Sequence, residues 1–386
     1  MKGNFRSLNE IITFRGGGTP RKDVPAYWSD EIPWASVKDF KSLDLSRTQD
    51  SISQKGLEAS ASNLIPAGHV IIPTRMALGK AAINSIDMAI NQDLRALIPK
   101  VPLDSRYLLH SMIGLADEIV RYGSGATVKG ITQENLGKLQ IPLPPLAEQK
   151  RIAAILDAAD ALRAKRRQSI AQLDALIQST FLDLVDHSSA SLSSALLSDI
   201  CQPDAPITYG ILQPGPHIEG GIPYVLPSEI KYGQENLNAI RRTTQKIASK
   251  YIKSDLQAGD ILITIVGTIG SIAVIPKELE GGNITQSSAR VRINRTKAEP
   301  LFVEHFLRSK LAKRQYDEKR LGVAVERLNL HHVRDLEVPI PPLSLQQKFA
   351  AIVESIERQK TTQRTHLAEL DALFASLQHR AFRGEL

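Results

Sequence analysis

Apolar residues are distributed along this chain in two regimes. The first consists of short β-branched runs broken by Gly and Pro, such as "HVIIP" at 69–73 and "ILITIVGTIGSIAVI" at Ile261–Ile275. Short runs rich in Val and Ile predict strands. Gly267 and Gly270 inside the longer run predict a tight turn between two of them. That run also falls short of the roughly 20 apolar residues a membrane-spanning helix needs. The second regime is free of Gly and helical in spacing, over about 147–184 and again over about 345–382. There Ile152, Ile155, Ala159, Leu162, Leu173, Leu176 and Thr180 fall on an alternating three-and-four spacing. Phe349, Ile352, Ile356, Gln359, Leu370, Leu373 and Leu377 do the same. The pattern predicts two amphipathic rods with a coiled-coil seam, apolar at both ends. Its middle is polar, at Arg166 and Ser169 in one rod and Gln363 and His366 in the other. A wet mid-section and a register-setting device are both compatible with that.

The two regimes occur twice in the same order. "LQIPLPPLAEQKRIAAIL" (Leu139–Leu156) returns as "LEVPIPPLSLQQKFAAIV" (Leu336–Val353), 197 positions later. "IPWASVKDF" (Ile32–Phe40) corresponds to "IPYVLPSEI" (Ile222–Ile230), and "PAGHVIIPTRMALGKAAI" (Pro66–Ile83) to "QAGDILITIVGTIGSIAVI" (Gln257–Ile275). "NQDLRALIPK" at 91–100 corresponds to "TQSSARVRIN" at 285–294, and "LDALIQSTF" at 173–181 to "LDALFASLQ" at 370–378. A period near 190 is too long for a solenoid repeat and indicates a duplicated domain. The chain therefore divides into a first globule (1–145), a first rod (146–187), a second globule (188–342) and a second rod (343–386). The expected class is α+β, with two β-rich α/β domains, each followed by a long helix. Pro142, Pro144 and Pro145, and Pro339, Pro341 and Pro342, mark the junctions. Lacking N–H groups, they suit a stiff extended elbow into a helix better than a sheet.

Length agrees with this division, since 386 residues exceed one ordinary core. A net charge of +7 fits an acidic partner such as nucleic acid. The single cysteine, Cys201, excludes internal disulfides, zinc fingers and Cys/Cys redox pairs. It points to a reducing, cytoplasmic setting. "MKGNFRSLNE" lacks the apolar core of a signal peptide.

The search for chemistry returns little. Gly79-Lys80 and Gly137-Lys138 are followed by Ala and Leu, where a phosphate loop needs Ser or Thr. No His-Glu-x-x-His occurs, and His331-His332 lacks metal-ligand spacing. "LPPL" and "IPPL" lack the polar and aromatic members of a base-amine methyltransferase loop. Pro203-Asp204 with Glu229-Ile230-Lys231 matches a loose nuclease pattern, in which two carboxylates would hold Mg²⁺ beside a lysine. Against it, Glu229 is the repeat counterpart of Asp39, whose half has no matching Pro-Asp.

"GGGTP" and "YWSDEIPW" within Gly16–Trp34, "NQDLRALIP", "GSGATVKGIT", both "PLPPLAEQKRIAAIL"-like junctions and the ending "LFASLQHRAFRGEL" together resemble the specificity subunit of a Type I restriction–modification enzyme. The resemblance covers nearly the whole chain. It implies two target-recognition domains whose long helices pack antiparallel, with pseudo-twofold symmetry. Each domain would read one half of a split, asymmetric double-stranded DNA target, and the rods would set the spacer. Two modification subunits would carry adenine-N6 methylation and S-adenosylmethionine, and restriction subunits the ATP- and Mg-dependent translocase and nuclease. This chain would bind no cofactor, hold no metal and have no catalytic residue. DNA methylation and host defence would be properties of the complex.

Under that resemblance, phosphate contacts should come from Lys and Arg, and specificity from groups that reach base edges. The candidates in the first domain are Arg15, Thr19, Arg21, Lys22, Lys38, Arg75 and Lys129. In the second they are Gln213, Lys231, Thr268, Arg320, Arg327 and Asn329. Partner contacts fall to the rods and junctions, through Ile152, Ile155, Leu162, Leu173, Leu176, Phe349, Ile352, Ile356, Leu370 and Leu373. "RAKRR" (Arg163–Arg167) could face spacer phosphates or solvent, and Trp28 and Trp34 are expected in the core. Three other readings stay open: a tandem DNA-binding regulator without enzymatic partners, a nuclease using Asp204, Glu229 and Lys231, and a coiled-coil scaffold.

Overall fold

A computed structural model describes residues 5–125, 129–187, 193–230, 240–320 and 326–386. Two compact units divide the chain: residues 1–167 with 366–386, and residues 168–365. Each unit therefore holds one globule together with part of both rods.

In the first unit, a five-stranded sheet runs in the order Ile12–Gly16, Leu94–Pro99, Val70–Pro73, Ala82–Asn84, Asp44–Leu45. A four-stranded sheet runs Asp50–Ile52, Ile32–Ala35, Met88–Ile90, Asn63–Ile65. Phe5–Ser7 and Gln140–Pro142 form a separate antiparallel ribbon. Val70, Ile71 and Ile72 are all buried, because both faces of their strand are covered by core. The second unit repeats the plan. Thr208–Tyr209, Ser288–Val291, Ile261–Thr264 and Ile272–Val274 form one sheet, and Arg242–Thr243, Ile222–Val225 and Asn283–Ile284 another. The parallel pairing of Ile32–Ala35 with Met88–Ile90 recurs as Ile222–Val225 with Asn283–Ile284. The apolar run at 261–275 is the expected pair of antiparallel strands, turning through Gly267 (φ 81°) and Gly270 (φ 79°).

The rods are continuous helices, Leu146–His187 and Leu343–Ala381. No helix among the described residues is long and apolar enough to cross a membrane. In each unit the helices pack antiparallel. In the first, Arg151 reaches the Leu386 carbonyl while Arg163 meets Asp371. In the second, Lys360 meets Asp174 while Phe349 packs on Phe181. At alternate positions the seam runs one residue later than expected. Leu156, Arg163, Ile177, Val353, Lys360 and Phe374 face the partner helix or its globule. Leu162 (53%), Leu176 (49%), Ile352 (43%), Leu373 (49%) and Gln359 are exposed, and Ile155 is half-buried. Ile152, Ala159, Phe349 and Ile356 are buried as expected, and Leu173, Leu370 and Leu377 partly so. The phase was misjudged because the positions flanking the seam are as apolar as the seam.

Each unit carries an ion cluster in its seam, and the two clusters match. Arg163 bonds Asp160 at 2.7 Å and Asp371 at 2.6 Å. Lys360, 197 positions later, bonds Glu357 at 2.5 Å and Asp174 at 2.5 Å. Three residues thus recur at three equivalent places. Arg163 also lies over the ring of Phe374, 4.2 Å from its centroid. Of "RAKRR", Arg163 is inside the seam, and Arg167 joins the same Asp371 at 2.9 Å.

At the elbows, Pro142 and Pro339 lie within strands after all, paired with Phe5 and Ser194. Both belong to two-stranded ribbons, in which every strand has a free edge for a residue without an N–H. A buried glutamine then fixes the helix entry. Gln149 accepts from the Asp104 N–H at 2.8 Å and donates to the Pro144 carbonyl at 2.9 Å. Its counterpart Gln346 accepts from the Glu299 N–H at 2.9 Å and donates to the Pro341 carbonyl at 2.8 Å.

Candidate nucleic-acid interface

Two loops of the first globule line a cleft of about 900 Å³, and another loop is tied to it through Thr19 and Gln92. The first loop, Gly17–Lys22, starts with a backbone approach that only glycine allows, since a Cβ on Gly17 would sit 1.9 Å from the Ile90 carbonyl oxygen. The Gly18 N–H donates to that oxygen at 3.0 Å. Both tryptophans hold the loop from below. The Trp34 indole donates to the Gly18 carbonyl at 3.0 Å and the Trp28 indole to the Arg21 carbonyl at 3.1 Å, and the rings meet edge to face at 5.4 Å. Trp34 is buried and Trp28 half-buried, so these rings are scaffolding for the loop.

The second loop is the turn after Val70–Pro73, carrying Arg75 and Met76. The third is the segment 129–133. They are joined by a bridge between Arg75 and Gly130 and by the Met76 N–H donating to the Lys129 carbonyl at 3.3 Å. Thr74, Arg75, Met76, Gln92, Asp93, Arg95, Thr132 and Gln133 are among the cleft's lining residues. The Thr19 hydroxyl donates to the Gln92 side-chain carbonyl, tying the first loop to the cleft. Arg75 stands 4.0 Å from Asp93, a carboxylate only 7% exposed, while its own side chain is largely solvated. An exposed guanidinium anchored by a buried carboxylate is positioned for an incoming phosphate or base edge.

Of the first-domain candidates, the structure thus brings together Thr19, Arg75 and Lys129. Arg21 is exposed and paired with Asp23 at 2.6 Å, which raises its pKa and lowers that of Asp23 through the shared hydrogen bond. Lys22 is exposed in the same loop, and Arg15 is exposed on the edge strand opposite Ala96. Lys38 is exposed on the short turn Val37–Asp39 and is not among the residues lining the cleft. Gln92, Arg95 and Gln133 were missed by sequence reasoning. Their signal was their position beside the repeated segments "NQDLRAL" and "GITQ", not their chemistry.

The second globule assembles the same loops with other side chains. Val266 bridges Arg327, the Gly267 N–H donates to the Glu326 carbonyl at 3.0 Å, and Arg320 pairs with Glu326 at 3.0 Å. A Cβ on Gly210 would meet the Ile284 carbonyl oxygen at 1.9 Å, as one on Gly17 would meet Ile90. Thr268, Arg320 and Arg327 therefore share one neighbourhood, all exposed. Gln213 is exposed in the loop after Gly210, and Asn329 precedes the helix Leu330–Arg334. Lys231 lies outside the described residues. Glu229 is occupied by a local role: it accepts from the Leu226 N–H at 2.9 Å, just as Asp39 accepts from the Ser36 N–H at 2.8 Å. That shared capping accounts for its place in the loose nuclease pattern.

Comparison with known proteins fits this duplicated arrangement. A family profile described as the Type I restriction modification DNA specificity domain matches residues 2–174 and 217–372. The chain is 28% identical over 365 residues to the Type I restriction enzyme EcoBI specificity subunit of Escherichia coli, covering 84% of this chain and 76% of that protein. It is 33% identical over 165 residues to the EcoR124I/EcoR124II specificity subunit of the same organism, 41% of each. The Type I restriction–modification S subunit from M. genitalium superposes with a TM-score of 0.58 at 16% identity, over 98% of this chain and 96% of that one. A chain from a structure describing assembly and conformational transition of a type I system gives 0.60 at 18% identity, over 100% and 98%. With the family profile covering both copies of the repeat, the chain belongs to the Type I restriction–modification specificity subunits.

Proposed function

We propose that this chain recognises a bipartite, asymmetric double-stranded DNA target and scaffolds two modification subunits and the restriction subunits on its rods and junctions. The observation that carries this reading is the twofold occurrence of one loop framework with different side chains. Arg75, Gln92, Arg95 and Lys129 occupy it in the first domain, and Thr268, Arg320 and Arg327 in the second. Two readers on a common framework suit two different half-sites. S-adenosylmethionine, ATP and Mg then belong to the partner subunits, and the chain's own contribution is binding and positioning.

The exposed rod residues supply the scaffold surface. Leu162 and Leu373 in one unit, and Leu176 and Ile352 in the other, each precede a seam residue by one position. Reversing one helix brings like flanking positions to the same side of the pair. Each unit therefore shows an apolar strip beside its seam, suited to a further helix from a modification subunit.

The test is sequencing of N6-methyladenine in the host genome with and without this gene. Loss of one split motif on deletion is the expected result. An unchanged methylome in a host with active modification subunits contradicts the reading, and tight specific binding by the isolated chain would favour a regulator instead.

A further inference from the structure

Met76 is a side chain that the fold of the first domain does not require. Its backbone stands at φ 63°, and it is the one non-glycine residue at positive φ among the described residues. An L side chain is strained there, and such strain persists only where the surroundings impose it. The matching turn of the second domain uses Gly267 at φ 81°. Both turns are clamped alike, with Met76 donating to the Lys129 carbonyl and Gly267 to the Glu326 carbonyl. Glycine thus completes this turn in the same chain, and what the first domain retains at that cost is the side chain.

That side chain is 64% exposed and lines the cleft beside Arg75, Gln92, Arg95 and Gln133. Guanidinium and amide groups read hydrogen-bonding base edges in the major groove. A flexible thioether cannot do that. The major groove offers one feature that only an apolar group satisfies, the C5-methyl of thymine. We propose that Met76 reads a thymine methyl in the half-site of the first domain, and is a specificity-determining residue for DNA recognition. The proposal rests on the reading of this cleft as a DNA interface.

The experiment uses the chain assembled with its modification subunits and the target defined by methylation sequencing. Each thymine of the half-site is replaced in turn by deoxyuridine, which removes the methyl and no hydrogen bond. Binding is measured for the wild type and for Met76→Gly, whose glycine suits the left-handed turn, so its melting temperature is expected to equal or exceed the wild type. One deoxyuridine position is expected to weaken wild-type binding roughly threefold to fivefold. Met76→Gly should weaken binding to the unmodified duplex by a similar factor, and it should be insensitive to deoxyuridine at that position. Equal binding of the unmodified target by both proteins overturns the proposal, as does a loss in the variant that adds to the deoxyuridine effect at every position. Failure of the wild-type complex to discriminate its target from random duplex overturns the DNA reading of the cleft as well, and is distinguishable because no substitution would then matter.

Discussion

At Gln149 and Gln346 a primary amide is removed from water and still bonded on both its carbonyl and amino sides. Replacing either by Leu keeps the bulk but orphans a backbone N–H and a proline carbonyl. Each change is expected to cost about 1–3 kcal/mol, seen as a lower denaturant midpoint. Gly17→Ala and Gly210→Ala should be worse, because the added methyl meets a fixed carbonyl and neither loop can yield without losing a strand. Both are expected to come out insoluble or strongly destabilised in a thermal melt. Cys201 gives a prediction in pH. Burial pushes its thiol up to about 12, with the Arg290 guanidinium pulling the other way. The neutral thiol therefore favours the folded state fully below the ordinary thiol pKa near 9, and this contribution is lost as pH rises from there towards 12. Ellman's reagent at pH 8 should label the denatured chain and leave the folded one unlabelled. Such residue-scale roles were mostly hidden in the sequence. "GGG" showed that glycine was needed, but not that Gly17 was the position where a carbonyl comes too close. Gln149 looked like any helix-surface glutamine until its partners across 45 residues were known.

In the rods, the sequence determined the helices but not their facing. Leucine or isoleucine at 155, 162 and 176, and at 352 and 373, made two adjacent stripes equally apolar, so spacing alone could not choose between them. The structure chose the stripe that places Arg163 and Lys360 where acidic partners on the other helix could reach them. Charge pairing across the seam thus decided a question that hydrophobicity left open. A double-mutant cycle of Arg163→Ala and Asp371→Ala should give a coupling of about 1–2 kcal/mol, below the value for a fully buried pair because the Asp371 side chain is 42% exposed. The exposed stripe makes a separate prediction. Leu162→Lys with Leu373→Lys should leave the melting temperature within a few degrees of wild type and abolish co-purification with modification subunits. A large stability loss with assembly intact would instead place those leucines in the folding core.

Across the whole molecule, the duplication was the most legible feature, because it is written in order and in composition. The two globules repeat the same plan of two sheets, with one strand more in each sheet of the first, and share the ribbons at the elbows and the bridges Arg75–Gly130 and Val266–Arg327. The half-sites themselves were not legible, since the two copies carry different side chains on one loop framework, held by a tightly packed glycine in each. The paired ion clusters carry one more consequence. Arg163 and Lys360 have the same sign, as do Asp160 and Glu357, and Asp174 and Asp371. Either rod is therefore complementary to a copy of itself as well as to the other rod. Seam charge cannot tell the correct partner from a rod on a neighbouring chain. What distinguishes them is covalent connection through the second globule, which makes pairing with the chain's own second rod intramolecular and independent of chain concentration.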